Sequence, residues 1–332
     1  MLRPALAPLL SIAVLLALAA GCGGTPDDRA ASSDPTTTAP GTTSRVPSPT
    51  TAPPDTAPPP APDPAADLLD AACDGRLEVS TVATLPAHLT SVSGLAASHR
   101  HPGVVWAVED SFEPPVVTAL GPDGAVLATV RLTGAPLMNL DWEALAVGPG
   151  PDGEPWVHVG DVGDNLGVRP HVRIHRFPEP ELRDATLTPE TVVAHHPEGR
   201  PDVEAMAVDP EGRTWLVELR GDAPAGVLLL GADGRLERRG ELDLGGEQVT
   251  AIDLSADGSV LAVRTDRSLR LHPVPDGGDL LDALDAPPCA TPELDERQGE
   301  SVALLRDRPG VVTVSEDESG SPVELHLTAP AG

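Results

Sequence analysis

The chain has 332 residues, a formal net charge of −29, and neither lysine nor tyrosine. That charge disfavours nucleic acid and anionic lipid surfaces, which need Lys and Arg to meet phosphate. It favours solubility and divalent cations, while the missing lysine excludes a P-loop and Schiff-base chemistry.

In chain order, Met1 to Gly21 is almost wholly apolar, with one early positive charge at Arg3. The run Leu9 to Ala20 has the length of a signal-peptide core and is too short for a membrane span. It ends in Ala19-Ala20-Gly21-Cys22, which resembles the lipobox of bacterial lipoproteins. The resemblance implies that 1–21 is a signal peptide and that Cys22 is diacylated. Two acyl chains anchor durably, so the protein is expected on the extracytoplasmic face of the cell membrane. The alternative is an ordinary signal peptide with an incidental cysteine. From Gly23 to about Pro64 the residues are mostly Thr, Pro, Ser, Ala and Asp. Such a segment cannot bury enough apolar surface to offset chain entropy, so 22–66 is expected to be a disordered tether. Its threonine clusters, such as Thr36 to Thr38, could carry O-glycans. Two further cysteines, Cys73 and Cys289, permit one disulfide in an oxidising compartment. Two unpaired buried thiols are the alternative.

The expected folded domain covers 67–332. From Leu77 onward short β-branched runs appear, among them Val104 to Val108, Trp156 to Val159, Trp215 to Val217, Val260 to Val263 and Val311 to Val314. Turn signals such as Pro122-Asp123-Gly124 and Ala256-Asp257-Gly258 separate them. No stretch after residue 77 shows sustained helical periodicity. A repeat then becomes visible, with first positions Ser93, Glu143, Glu204, Thr250 and Glu300, stepping by 50, 61, 46 and 50 residues. A four-stranded propeller blade takes about 40 to 50 residues. The fold class is therefore all-β, a β-propeller of five blades. Six blades is the alternative, because the 61-residue step has room for extra strands. The last blade lacks an outer strand, and the strand beginning at Leu77 has no blade of its own. Pairing the two closes the ring and leaves no open edge.

In a propeller the start of each innermost strand and the end of the next emerge on one face. Strand starts carry Asp141, Glu143, Asp202, Glu204, Gln298 and Glu300. Strand ends carry Glu109, Asp110, Asp161, Asp164, Asn165, Glu218, Asp266 and Glu316 to Glu318. Carboxylates converging on a channel mouth are costly unless a cation or ligand neutralises them. Oxygen ligands at irregular spacing suit Ca²⁺, expected on Asp141, Glu143, Asp161, Asp164, Asn165, Asp202 and Glu204. Solvated loop charge is the bland alternative. The segment Gly160-Asp161-Val162-Gly163-Asp164-Asn165 is the sharpest single motif, readable either as an oxygen-rich site or as a glycine turn with Asx caps. A ligand at this mouth would meet Trp142, Asp110, Glu218, Glu300 and Glu316, although Trp142 could instead pack between blades. Trp106, Trp156 and Trp215 recur at matched strand positions and are expected in the core. The ten histidines show no zinc-ligand spacing, and no G-x-S-x-G elbow exists.

The repeats Asp-Trp-Glu-Ala-Leu-Ala-Val from Asp141, Asp-Val-Glu-Ala-Met-Ala-Val from Asp202 and Gln-Gly-Glu-Ser-Val-Ala-Leu from Gln298 resemble those of the "esterase-like activity of phytase" propellers. More distantly they are similar to SMP-30 and NHL-type propellers. The resemblance spans residues 77 to 328. Ser93 and Thr250 depart from it by replacing the glutamate, which points to a one-sided site on blades two, three and five. A monomeric, tethered protein that binds a ligand or partner at its acidic mouth, with Ca²⁺, is the first expectation. A Ca²⁺-dependent phosphoesterase or esterase is the second, with the metal polarising substrate and Glu204 as base.

Overall fold

The computed structural model describes residues 63–332, except 135–136, 166, 197–198, 200–201, 221–222, 295 and 316–321. The expected leader, Cys22 and the tether up to residue 62 lie outside the described residues, as does Glu316.

Five antiparallel sheets form a five-bladed propeller, each starting from an innermost strand and running outward. Blade 1 comprises Val92–Ala97, Val105–Glu109, Val116–Leu120 and Val126–Leu132. Blade 2 comprises Trp142–Pro149, Pro155–Asp161, Val172–Pro178 and Glu190–Ala194. Blade 3 comprises Val203–Val208, Thr214–Glu218, Ala225–Leu230 and Leu236–Leu242. Blade 4 comprises Val249–Leu254, Val260–Thr265, Leu269–Pro273 and the short Cys289–Ala290. Blade 5 comprises Gly299–Leu304, Val311–Ser315 and Glu324–Pro330, and its outer strand is Leu77–Thr84 from the other end of the chain. Leu77 pairs with Pro330 and Thr84 with Glu324, so the ring closes by hydrogen bonds between distant segments.

The 61-residue step is explained by a detour and not by a sixth blade. After the third strand of blade 2 the chain crosses to blade 1, where Ala185–Leu187 adds a fifth, parallel strand beside Val130 to Leu132. It then returns as Glu190–Ala194 to finish blade 2.

Two helices depart from the sequence expectation. Helix α1, Pro64–Cys73, begins inside the segment assigned to the tether. Asp63 caps it by accepting from the Ala65 N–H, and Pro64 sits at the first position, where no N–H is needed. Its Leu68, Ala71 and Ala72 bury against Val260, Leu271 and Val311 of blades 4 and 5. Helix α2, Leu280–Asp285, is one and a half turns held by a capping box between Asp279 and Asp282. It is too short to reveal a helical period. Cys73 at the end of α1 is disulfide-bonded to Cys289 in blade 4.

One irregularity recurs in every blade. The pairing of innermost and second strands slips by one residue at the same place, leaving Ser93, Glu143, Glu204, Thr250 and Glu300 as the extra residue of a β-bulge. These are the first positions of the sequence repeat. A bulge interrupts the ladder and re-aims the side chain it carries. The repeat therefore encodes a five-fold set of re-aimed side chains at one end of the channel. Farther down, Leu95, Leu145, Met206, Ile252 and Val302 narrow the channel to a void of about 10 Å³, the room of a single water. At this level the channel is an apolar constriction below the bulged side chains.

Candidate functional site at the acidic channel mouth

The five bulged positions are chemically unequal. Ser93 donates to the Trp142 carbonyl at 2.6 Å and thus fixes the strand just before Glu143. Thr250 is buried, and its hydroxyl has no hydrogen-bond partner among the described residues. Glu143 is 8% exposed and receives no hydrogen bond among the described residues. Burial first, then the carboxylates of Glu204, Asp110, Asp141 and Glu300, push its carboxyl up to about 11. Glu204 is half-buried, and burial with Asp202, Glu300, Asp141 and Asp110 pushes it up to about 8. Glu300 differs, because the Gln298 amide donates to it and the buried Arg264 guanidinium lies close.

Oxygen atoms of Asp110, Asp141 and Glu143 all lie within 4.8 Å of one another. Ca²⁺ takes oxygens at 2.3–2.6 Å, so two of its ligands can stand no farther apart than about 5 Å. Asp141 is the fixed member of the trio. Ser111 Oγ donates to its Oδ1, and the Asn165 backbone N–H donates to Oδ2 at 3.2 Å. Its own N–H donates to Asp161 Oδ1 at 3.1 Å. Asn139 positions Asp110 by donating from Nδ2 to the carbonyls of Glu109 and Asp110, at 2.9 and 2.6 Å. Beside this clamp Phe112 has a φ of +64° and is 80% exposed. That is a strained conformation for an aromatic residue, next to the acidic cluster.

The glycine-rich motif proves to be scaffold for Asp141. Asp161 is engaged by Arg169 at 3.0 Å and Arg173 at 3.6 Å. Burial raises its carboxyl, and those two arginines oppose the rise. Arg169 also donates to the carbonyls of Gly163 and Asp161, at 2.7 and 2.8 Å, and so staples the loop. Asp164 accepts from the N–H groups of Val168 and Arg169, at 2.8 and 2.9 Å, which is the Asx-cap reading of this motif. Asn165 spends its side-chain amide on Asp141. Gly163 is required for close approach, since a Cβ there would stand 2.7 Å from Asp141 Oδ2 and 2.9 Å from Glu143 Cγ.

Of the expected metal ligands, Asp141 and Glu143 converge, and Asp110, expected to touch a ligand, joins them. Glu204 stands at the same mouth. Asp202 accepts from the Asp164 N–H at 2.9 Å and reaches the mouth beside Glu204. Asp161 and Asp164 are committed to the loop. Glu218 is committed as well, to Arg238 and to His196 Nε2 at 3.1 Å. Trp142 is wholly buried and packs with Trp106, Val157 and Phe177, so it offers no ring face to a ligand. Trp106, Trp156 and Trp215 are buried, and each indole N–H donates to a carboxylate: Glu179, Asp152 and Asp209, at 2.8 to 2.9 Å. Sequence reasoning missed Arg264 and Glu296, an ion pair buried beside Glu300 and packed on Gly299. The signal was an arginine inside the run Val260-Leu261-Ala262-Val263-Arg264, where only apolar residues fit without a partner. Arg264 explains the lopsided electrostatics: positive charge supports Glu300, whereas carboxylates surround Glu143.

Beside the trio lies a cavity of about 440 Å³ that spans blades 3 to 5. Glu204, Thr250 and Glu300 form its inner wall, with Asp202, Asp266, Arg297 and the amides of Gln248 and Gln298 around them.

No protein-family model matches the chain, and no curated protein matches it. Among solved structures it is similar to the PQQ-bound aldose sugar dehydrogenase from Streptomyces coelicolor, at 14% identity over 77% of this chain and 98% of that one, with a TM-score of 0.45. It is also similar to a streptogramin B lyase, at 10% identity over 76% of this chain and 98% of that one, with a TM-score of 0.39. Likeness at this level carries no argument about chemistry or ligand.

Proposed function

We propose that the acidic end of the channel holds one Ca²⁺ ion on Asp110, Asp141 and Glu143, and that the protein is a ligand-binding propeller displayed outside the cell on a lipid anchor at Cys22. The observation that carries the cation is Glu143. It is a carboxylate more than nine-tenths buried, without a hydrogen bond among the described residues, aimed by a bulge at two other carboxylates. A buried charge without a partner is not tolerated unless it is protonated or neutralised by a cation. Ca²⁺ accepts the irregular mixture of ligands that this mouth offers, whereas Mg²⁺ demands near-octahedral geometry. Calorimetric titration of the purified protein with Ca²⁺ tests this reading. Saturable binding that Mg²⁺ does not reproduce is expected. Equal, weak, salt-like responses to both ions would leave only solvated charge.

Glu204 supports a second reading, a Ca²⁺-dependent hydrolase. Its half-buried carboxylate has no hydrogen bond among the described residues, borders the cavity and is pushed up to about 8, the range of a general base at neutral pH. The resemblance of the repeats to phytase-associated esterase-like propellers suggests ester or phosphoester substrates. An esterase and phosphatase panel with and without Ca²⁺ decides. Turnover that requires the metal and is lost in Glu204→Gln supports the enzyme.

A further inference from the structure

Bare apolar side chains gather around the acidic mouth. Among the described residues the three most exposed large hydrophobics are Phe112 at 80%, Val168 at 64% and Met138 at 60%. They come from three loops, and each loop leads to Asp141. Ser111, next to Phe112, donates to the Asp141 carboxylate. The Phe112 N–H donates at 3.3 Å to the carbonyl of Asn139, the residue after Met138 and two before Asp141. Val168 lies on the loop whose Asn165 donates to Asp141 from its backbone and its side chain. Exposed apolar residues scattered singly need no explanation, but several around one site mark a surface that another molecule covers. Close to Phe112 the same segment borders a cavity of about 520 Å³, with Leu89, Pro114 and Val116 on its apolar side and Glu109 in its lining. Asp110 of the trio follows Glu109 directly, and consecutive Cα atoms are about 3.8 Å apart. Cavity and trio are thus within reach of neighbouring side chains on one partner segment.

The charge inside this apolar rim decides the occupant. Asp110, Asp141, Glu143 and Glu204 have no ion-pair partner among the described residues, whereas Glu300 has Arg264 close by and Asp266 pairs with Arg267. A second copy of this chain would bring like charge to the mouth, and so would anionic lipid. Residues 1–62 carry three arginines against four aspartates, so they offer no positive charge overall. They lead into Asp63, which accepts from the Asp257 N–H in the turn at the end of blade 4 opposite its bulge. A free cation answers the carboxylates but leaves Phe112, Met138 and Val168 bare. A protein segment with Arg or Lys beside bulky apolar side chains answers both, and aromatic and Met side chains are enriched where proteins meet.

We propose that the mouth docks a basic segment of another protein, with an Arg or Lys reaching Asp110 and Asp141 and its apolar neighbours packing on Phe112, Met138 and Val168. The docking rests on the reading of this end as a binding face and does not require Ca²⁺. The probes are capped octapeptides with a central Arg or Lys flanked by Leu and Phe. Each has one counterpart with Gln or Glu in place of the cation and another with Ser in place of the apolar residues. The full-length chain is titrated with them in chelator by calorimetry, and Ca²⁺ is titrated separately without peptide. Saturable binding of a cationic, apolar peptide is expected, about tenfold weaker or worse for either counterpart. Phe112→Asn removes the ring and keeps a residue that tolerates the positive φ. It is expected to weaken that peptide about tenfold with unchanged strand content by circular dichroism. The proposal is overturned if no cationic peptide binds, if the Gln or Glu counterpart binds as well, or if Phe112→Asn changes nothing. It is also overturned if the wild type binds phosphatidylcholine vesicles or self-associates where Phe112→Asn does not, which makes lipid or a second copy the occupant. Absence of Ca²⁺ binding removes the cation reading alone, because the peptides are scored without the metal.

Discussion

Gly163 and Glu143 show how closely single residues define the mouth. A methyl at Gly163 would collide with Asp141 Oδ2 and Glu143 Cγ, at 2.7 and 2.9 Å, and must push these two carboxylates apart. Gly163→Ala should therefore lower Ca²⁺ affinity by about tenfold, or ~1.4 kcal/mol, while circular dichroism reports the same strand content. Unchanged affinity would mean that Asp141 and Glu143 do not share an ion. Glu143 also sets a pH dependence in the chelated protein. Its folded carboxyl is raised from 4.5 to about 11 by burial and by Glu204, Asp110, Asp141 and Glu300. Between these values the folded state holds a proton that the unfolded state releases. The associated stability is thus complete below pH 4.5 and is lost as pH rises towards about 11. Melting in chelator from about pH 5 to about pH 9 should show Tm falling, and Glu143→Gln should flatten the slope because its amide cannot ionise. Ca²⁺ binds the ionised carboxylate, so its affinity should rise over the same window. A wild-type and variant pair with identical slopes would assign the pH dependence to other groups.

At the scale of the blade, the indole–carboxylate contacts act as repeated struts whose strength depends on burial. Asp209 is buried and accepts from the Trp215 indole at 2.8 Å, from Arg213 Nε at 2.6 Å, and from two backbone N–H groups. Asp152 meets Trp156 in the same way in blade 2, but it is exposed to water. Asp209→Ala should cost roughly 2–3 kcal/mol, because it strands buried donors, and Asp152→Ala well under about 1 kcal/mol. Denaturant midpoints of the two variants check this, and equal costs would refute the burial argument. These struts also show which parts of the fold were legible in the sequence. The repeat exposed five blades because the bulged residue recurs beside Ala, Gly or Ser, and the spare strand at Leu77 announced the closure. The bulge itself was not legible, since register depends on the partner strand. The detour to blade 1 was hidden in an over-long step, and α2 was too short to declare a period. In the site, strand-end acids were visible, but their sorting was not. Asp161 and Glu218 are claimed by Arg169 and Arg238, which lie 8 and 20 residues farther along and hold no fixed spacing to the repeat.

For the whole molecule, the ring depends on one non-local pairing: Leu77–Thr84 must find Glu324–Pro330, at the other end of the folded domain. The disulfide bears on this step directly. Cys73 lies four residues before the closing strand, and its partner Cys289 lies in blade 4, 216 residues away in sequence. Oxidation pins α1 to blade 4 and so holds the closing strand near the edge of blade 5 that it must cover. Closing so long a loop removes entropy from the unfolded chain worth about 5 kcal/mol in the chain-entropy account, and native disulfides typically contribute about 2–5 kcal/mol. For a domain of this size each kcal/mol shifts Tm by roughly 2–4 °C. Reduction, or the double variant Cys73→Ser with Cys289→Ser, should therefore lower Tm on the order of 5–15 °C. The loss should act first on closure. In the reduced protein, amides of Leu77–Thr84 and Glu324–Pro330 should exchange with solvent well before those of the innermost strands, because an opened ring frays from its seam. Hydrogen exchange resolved by segment measures this order. Uniform acceleration across all five blades would show that the bridge stabilises the ring as a whole. An unchanged Tm would show that Leu68, Ala71 and Ala72 hold α1 in place without it.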